Sequence, residues 1–309
     1  MEFKRLLAFL RHGPRSRFNK WKFDYFACKV VKSPAITSLD GRLALVSLIS
    51  SRDFYMYLVA VKSVVRFIKT SKIFVINDGS LRAWQIAQLK RQIKDVVIAH
   101  ISDIKNDYCP KGACWERLLF IADLLNSYYV FELDSDILAL KSIEEVIHAI
   151  NKNQGFMLTD KEDIEIISLN DAVYKSKGKS SEHIQDFVEQ NLDVLCEECH
   201  FYIHGSGGFI GYPRGAFDRG RVEGISQKMF NRCGKRWAEW GTEKITSSLL
   251  FANMESKVIL PFPKYAVYFD RKEVCYANST VLHFVGQCRY KNNFYIQLVR
   301  SILKQWNGK

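Results

Sequence analysis

Tyr128-Tyr129-Val130-Phe131-Glu132-Leu133-Asp134-Ser135-Asp136-Ile137-Leu138-Ala139-Leu140 is an apolar stretch that ends in two aspartates one residue apart and then resumes as apolar. Its first half reads as a strand. Alternate residues of a strand share a face, so Asp134 and Asp136 leave the strand end on the same side. Two carboxylates that close repel each other unless a cation lies between or beside them. Hard oxygen ligands suit magnesium or manganese, and a cation held in this way can carry a diphosphate. A solvated turn after a core strand is the plainer explanation, because Asp-x-Asp alone is common.

Outward from this stretch, apolar runs alternate with amphipathic segments, which predicts an α/β fold with a mostly parallel sheet covered by helices on both faces. Strands are expected at 43–49, 73–77, 96–101, 129–133, 155–159, 208–212, 258–261 and 280–285. Helices are expected at 54–68, 81–93, 114–126, 143–150, 242–253 and 294–305. Residues 160–200 are polar, charged and low in glycine, the make-up of an insertion or a lid-bearing region. With no internal repeat or linker, residues 41–309 read as one domain preceded by a basic, aromatic-rich segment at 1–40.

The chain has 309 residues, 48% hydrophobic and 25% charged, as in an ordinary globular protein with ample length to bury a core. Its net charge of +12 is concentrated at one end. Residues 1–32 hold nine basic side chains (Lys4, Arg5, Arg11, Arg15, Arg17, Lys20, Lys22, Lys29, Lys32) against Glu2 and Asp24, hence +7. Phe3, Leu6, Leu7, Phe9, Leu10, Phe18, Trp21, Phe23, Tyr25 and Phe26 are interleaved with them. A solvated tail would explain the charge. Basic residues mixed with aromatics suit an anionic membrane surface better than a nucleic acid, which is not an expected partner. No apolar run reaches the roughly 18 to 20 residues that span a bilayer. Leu6–Leu10 is too short, and too soon broken by Arg11, for a secretory signal. The expectation is a cytoplasmic protein, peripheral on the inner membrane face.

Without an export signal, the eight cysteines are expected to be reduced thiols. Cys196-Glu197-Glu198-Cys199-His200 formally matches a haem-attachment pattern, but nothing else supports it. Zinc at Cys196 and Cys199 lacks a second Cys-x-x-Cys pair.

In open parallel sheets, ligands bind outside the carboxyl ends of the strands. Three motifs stand at such ends: Asn77-Asp78-Gly79-Ser80, Asp134-Ser135-Asp136 and His283-Phe284-Val285-Gly286-Gln287-Cys288-Arg289. Together with their order, they resemble the GT-A nucleotide-sugar glycosyltransferases, over roughly residues 42–300. Within that class the chain is similar to the retaining galactosyl- and glucosyltransferases of family 8. These show an Arg-Leu pair 17 residues before the first aspartate, the interval found here between Arg117 and Asp134. The ending His283-x-x-Gly286-x-x-Arg289 resembles that family's His-x-x-Gly-x-x-Lys, with Arg in place of Lys.

The resemblance implies a Rossmann-like GT-A sheet and a manganese or magnesium cofactor held on the donor diphosphate by Asp134, Asp136 and His283. It further implies that Arg289 neutralises the phosphates, that Arg117 contacts the donor and that Asp78 faces the nucleobase or ribose. A UDP-sugar is the foremost donor, and a glycan or lipid-linked hydroxyl the acceptor. The chain departs from family 8 at His204-Gly205-Ser206-Gly207-Gly208-Phe209, where a sugar-pocket motif usually begins with Asn. Gly207 and Gly208 there permit close backbone approach to the donor sugar, or merely a turn. Trp240-Gly241-Thr242-Glu243 resembles the Trp-Gly-x-Glu motif of other GT-A families, whose acid touches the acceptor and serves as base in inverting enzymes.

Glu243 and Asp136 are thus the candidate catalytic residues, with retention favoured over inversion. Structural roles compete at each position. Asp78 suits a turn in any protein, and Arg117 can pair with Glu116 or Asp123 along a helix. His283 can be a core histidine, and Glu243 a partner of a helix dipole. Two other readings remain. A sugar-nucleotide-forming nucleotidyltransferase shares the strand order and paired acids, but Ser47-Leu48-Ile49-Ser50-Ser51-Arg52 lacks the glycines of its first loop. A basic nucleic-acid-binding protein would explain the charge alone.

Overall fold

The computed structural model describes residues 17–37, 41–69 and 72–308. Lys4, Arg5, Arg11 and Arg15 of the basic segment lie outside them. The first half of the chain runs α1 (residues 17–27), β1 (Leu43–Ile49), α2 (Phe54–Val65), β2 (Lys72–Asn77), α3 (Ala83–Gln92), β3 (Val97–His100), α4 (Trp115–Leu124), β4 (Tyr129–Leu133), β5 (Ile137–Ala139), α5 (Glu144–Asn151) and β6 (Gly155–Met157). The second half runs β7 (Ile167–Ser168), α6 (Leu169–Ser176), α7 (Ile184–Glu189), β8 (Phe201–Tyr202), β9 (Phe209–Tyr212), α8 (Arg219–Cys233), α9 (Thr242–Ala252), β10 (Lys257–Ile259), β11 (Tyr265–Val267), β12 (Val281–His283) and α10 (Phe294–Asn307).

The main sheet has seven strands in the order β10-β6-β9-β4-β1-β2-β3. Strands β4, β1, β2 and β3 are parallel, and β9 runs antiparallel to both β4 and β6. β1 and β4 are apolar along nearly their whole length because a parallel sheet is buried on both faces. Leu45, Val75 and Phe131 join a cluster completed by α2, α5 and α10. Val46, Ile76 and Val130 face Ile121 and Leu125 at the end of α4 and Phe251 of α9.

The polar stretch at 160–200 carries an apolar seam of its own. Leu169, Ala172, Ile184, Val188, Leu192 and Leu195 are buried against Trp115 and Leu118 of α4, Val222 and Met229 of α8, and Ile245 of α9. Helices α1, α6, α7 and α8 and strands β5, β7, β8 and β11 had no counterpart among the expected elements. In α8, Val222, Ile225, Met229 and Cys233 form the buried stripe, which Gly220, Gly224 and three arginines obscure in the sequence. Strand β11 has only three residues.

The apolar run that resumes after Asp136 leaves the main sheet. As β5 it pairs antiparallel with β12 in a second, three-stranded sheet ordered β11-β12-β5, with Ile137 opposite His283. That register, together with the Phe284 N–H donating to the Asp136 carbonyl at 2.9 Å, brings a histidine from residue 283 to the aspartates.

Candidate active site

Asp134 and Asp136 stand in the turn between β4 and β5, and His283 ends β12. Each offers one ligand atom, and the three atoms lie within 4.8 Å of one another. His283 Nε2 is 3.1 Å from Asp136 Oδ1 and 3.6 Å from Asp134 Oδ2. Its Nδ1 faces the Ser206 hydroxyl at 3.3 Å, a contact that fixes the ring's orientation. Asp136 is buried, and Arg289 donates to it and to the Phe284 carbonyl. Burial would push the Asp136 carboxyl up, but His283 and Arg289 outweigh it and hold the group at about 2. Two carboxylates and an imidazole converging from the ends of β4 and β12 are a donor set suited to manganese or magnesium, so the residues fit the expected ion.

Arg117 comes from the first turn of α4. The chain enters that helix through three successive left-handed residues, Gly112 (φ 81), Ala113 (φ 48) and Cys114 (φ 72), a strained entry for the last two. The buried guanidinium is shared by three carboxylates: Glu132 at 2.7 Å, Glu243 at 3.3 Å, and Asp134. Glu132 lies in the middle of the central sheet and also accepts from Gly208 N (3.0 Å) and the Tyr212 hydroxyl (2.9 Å). Burial raises the Glu132 carboxyl, against the pull of Arg117. Burial likewise drives Glu243 up to about 8, with Arg117 opposing and Glu132 and Asp134 adding to the rise.

Arg117, Asp134, Asp136, Gly207, Glu243, His283 and Arg289 line one cavity of about 450 Å³. Gly208 sits behind Asp134 with φ +85, and a Cβ there would collide with the Asp134 carboxylate and lie 2.7 Å from its Cβ. Besides Gly208, the candidate that the cavity does not include is Asp78. Its exposed carboxylate accepts from Ser80 N (2.9 Å) and the Ser80 hydroxyl (2.6 Å), the turn chemistry that competed with the donor role. Ser80 in turn accepts from Ser51 N at 2.7 Å, which ties together the carboxyl ends of β1 and β2.

Arg117 pairs with neither helical neighbour. Asp123 is taken by Arg219, and Glu116 accepts from Gly112 N. Glu132 escaped the sequence reading although its spacing, two residues before Asp134 on the same strand face, was the available signal. Gln185, His204 and Lys244, which also line the cavity, were missed as well, as was Glu189, which holds Gln185 and His204 without lining it. Glu189 accepts from Gln185 and the Tyr202 hydroxyl, with His204 at 3.0 Å, and Lys244 of α9 reaches Gln185 at 3.4 Å. All eight cysteines are free thiols, with Cys196 exposed and Cys199 buried. Among the described residues, Asp134, Asp136 and His283 are the group spaced to hold a metal ion.

No protein-family model and no curated protein sequence matches this chain. Solved structures do. The bifunctional glycosyltransferase WbbM, in its apo structure, superposes with a TM-score of 0.51 at 10% identity, covering 88% of this chain and 52% of WbbM. This chain therefore spans about half of WbbM's length. Glycosyltransferase GlyE from Streptococcus pneumoniae TIGR4 gives a TM-score of 0.48 at 12% identity, over 87% of this chain and 64% of GlyE. Galactosyltransferase LgtC, in complex with donor and acceptor sugar analogues, gives 0.42 at 10% identity, over 86% and 99%. At such identities the WbbM likeness speaks to architecture, and it agrees with the strand order and the two-sided helical cover. The fold of this chain is the GT-A fold of nucleotide-sugar glycosyltransferases.

Proposed function

We propose that this protein is a metal-dependent glycosyltransferase that moves a sugar from a nucleoside-diphosphate sugar, a UDP-sugar foremost, to a hydroxyl of a glycan or lipid-linked acceptor. The observation that carries this reading is the convergence of Asp134, Asp136 and His283 on one wall of a cavity that also holds Arg117 and Arg289. WbbM, similar in fold, is itself a glycosyltransferase. Asp134, Asp136 and His283 would hold manganese, or magnesium, which when bound screens the diphosphate and stabilises it as leaving group. Arg289 brings a guanidinium fork matched to phosphate oxygens. With no side chains at Gly207 and Gly208, the donor sugar can lie close to that loop. Asp78, outside the cavity at the end of β2, is the candidate contact for the nucleoside.

Departure and attack occur on one face of the sugar in the retaining reading, with donor phosphate helping to deprotonate the acceptor. Arg117 and Ser247 both engage Glu243 Oε1, at 3.3 and 3.5 Å, which suits a carboxyl that positions a sugar hydroxyl. In an inverting enzyme the same residue would be the base. A panel of nucleotide sugars, assayed with manganese, with magnesium and with chelator, tests the reading. The expected outcome is metal-dependent turnover of one donor, with proton NMR showing the donor's anomeric configuration in the product. Turnover indifferent to chelator would remove the metal. An inverted anomer would make Glu243 the base, and formation of sugar nucleotide from sugar phosphate would reassign the enzyme as a nucleotidyltransferase.

A further inference from the structure

Among the described residues, no helix is long and apolar enough to cross a membrane. The described part of the basic segment is nevertheless two-faced. On one side of α1 and the tight turn Cys28–Lys32 that follows, Phe23, Ala27 and Val30 are buried. The Phe23 ring packs on Tyr290 and Tyr295, with centroids 5.8 and 4.8 Å away. On the other side Phe18, Trp21 and Tyr25 are 59%, 62% and 59% exposed. They stack as a ladder, 5.9 Å from Phe18 to Trp21 and 6.0 Å from Trp21 to Tyr25. The same three- and four-residue spacing continues to Lys29 and Lys32, both exposed.

Helix α10 adds to this rim. Arg300 lies over the Phe26 ring at 4.5 Å, Asn307 donates to the Lys29 carbonyl at 3.2 Å, and Lys304 is exposed on the same helix. Asp24, the acid in the described part of this segment, is held by Lys20 at 2.5 Å, while Lys29 and Lys32 are exposed.

We propose that this face of α1 docks on an anionic lipid bilayer, with Phe18, Trp21 and Tyr25 at headgroup depth and the lysines and Arg300 against the lipid phosphates. Aromatic rings with one wet and one apolar side favour that depth, and basic side chains beside them add attraction to anionic headgroups. The charge is complementary, since the described part of the segment carries Arg17, Lys20, Lys22, Lys29 and Lys32 against Asp24. A second copy of the chain fits less well, because it would bring two basic faces together. Single-stranded nucleic acid fits less well too. Its bases need separate ring faces to stack on, whereas these three rings lie 5.9 and 6.0 Å apart, each against the next. The inference stands independently of the glycosyltransferase reading.

Co-sedimentation of the full chain with phosphatidylcholine vesicles, with and without phosphatidylglycerol, tests it. The unaltered protein is expected to bind only the anionic vesicles and to release as salt rises. The triple variant F18S/W21S/Y25S is expected to lose at least about tenfold in vesicle partitioning at unchanged melting temperature, since its three side chains point away from the core. Equal binding by the triple variant would overturn the proposal, as would failure of the unaltered protein to bind anionic vesicles. A dimer in light scattering that the triple variant dissolves, or tighter binding to single-stranded DNA than to vesicles, would replace the bilayer with those partners.

Discussion

Two arginines organise the site at the scale of single residues, each answering a different aspartate. Arg289 answers Asp136, and Arg117 answers Asp134 together with Glu132 and Glu243. This sharing decides which substitution gives a clean test. Replacing Asp136 by alanine would take a shared partner from half-buried Arg289 and buried His283, so a loss of binding would be mixed with a loss of stability. Asp136→Asn keeps the shape and part of the hydrogen bonding. It is expected to weaken donor binding in manganese by at least about 100-fold, because even residues behind the ligands contribute 10- to 100-fold. Calorimetric titration of the donor, with a thermal melt as control, checks this; unchanged affinity would exclude Asp136 as a ligand. The paired aspartates and His283 were legible in the sequence through spacing and chemistry. Glu132 shares the strand face of Asp134, but its role was not legible, because it depends on Arg117 arriving from α4 and Gly208 from the turn before β9.

At the scale of elements, the pairing of β5 with β12 places the histidine, and the Gly207–Gly208 turn before β9 places the first aspartate. Gly208→Ala puts a Cβ at φ +85, inside contact distance of Asp134, so it is expected to displace that carboxylate. Manganese affinity should fall more than stability does, as measured by titration beside a urea melt. The opposite order would make the glycine structural only. Helix α7 supplies a pH signature. Burial opposes ionisation of Glu189, but His204, Gln185 and Lys179 overcome it and lower the carboxyl from 4.5 to about 2. A depressed carboxylate stabilises the fold above its unfolded value, and that stability is lost as pH falls from 4.5 through 2. The expected loss is about 3 kcal/mol across that window, from roughly 1.36 kcal/mol per unit. Glu189→Gln should flatten this part of the acid melt; an unaltered profile would mean that the pair contributes nothing. The spacing of α7 and α6 was hidden in a stretch whose polar surface outnumbers its buried seam.

For the molecule as a whole, ligand binding to the folded state is a stability term. Manganese at about 100 times its dissociation constant should add about 2.7 kcal/mol to unfolding. His283→Ala should lose most of that increment while its metal-free melt stays close to that of the unaltered protein. A variant that melts far lower without metal yet keeps the full increment would return His283 to a core role. The sequence by itself determined the α/β class, the edges of β1 and β4, and the aspartate pair, since each is written in local periodicity or in neighbours one or two residues apart. Only the tertiary structure decided that Ile137–Ala139 abandons the main sheet for β12, that Glu132 and Glu243 share Arg117, and that Asp78 turns into its own loop. Those outcomes depend on contacts across as many as 147 residues, as between Asp136 and His283. Local pattern carries no register for pairings of that length, because what selects them is the burial of charges that only the folded chain brings together.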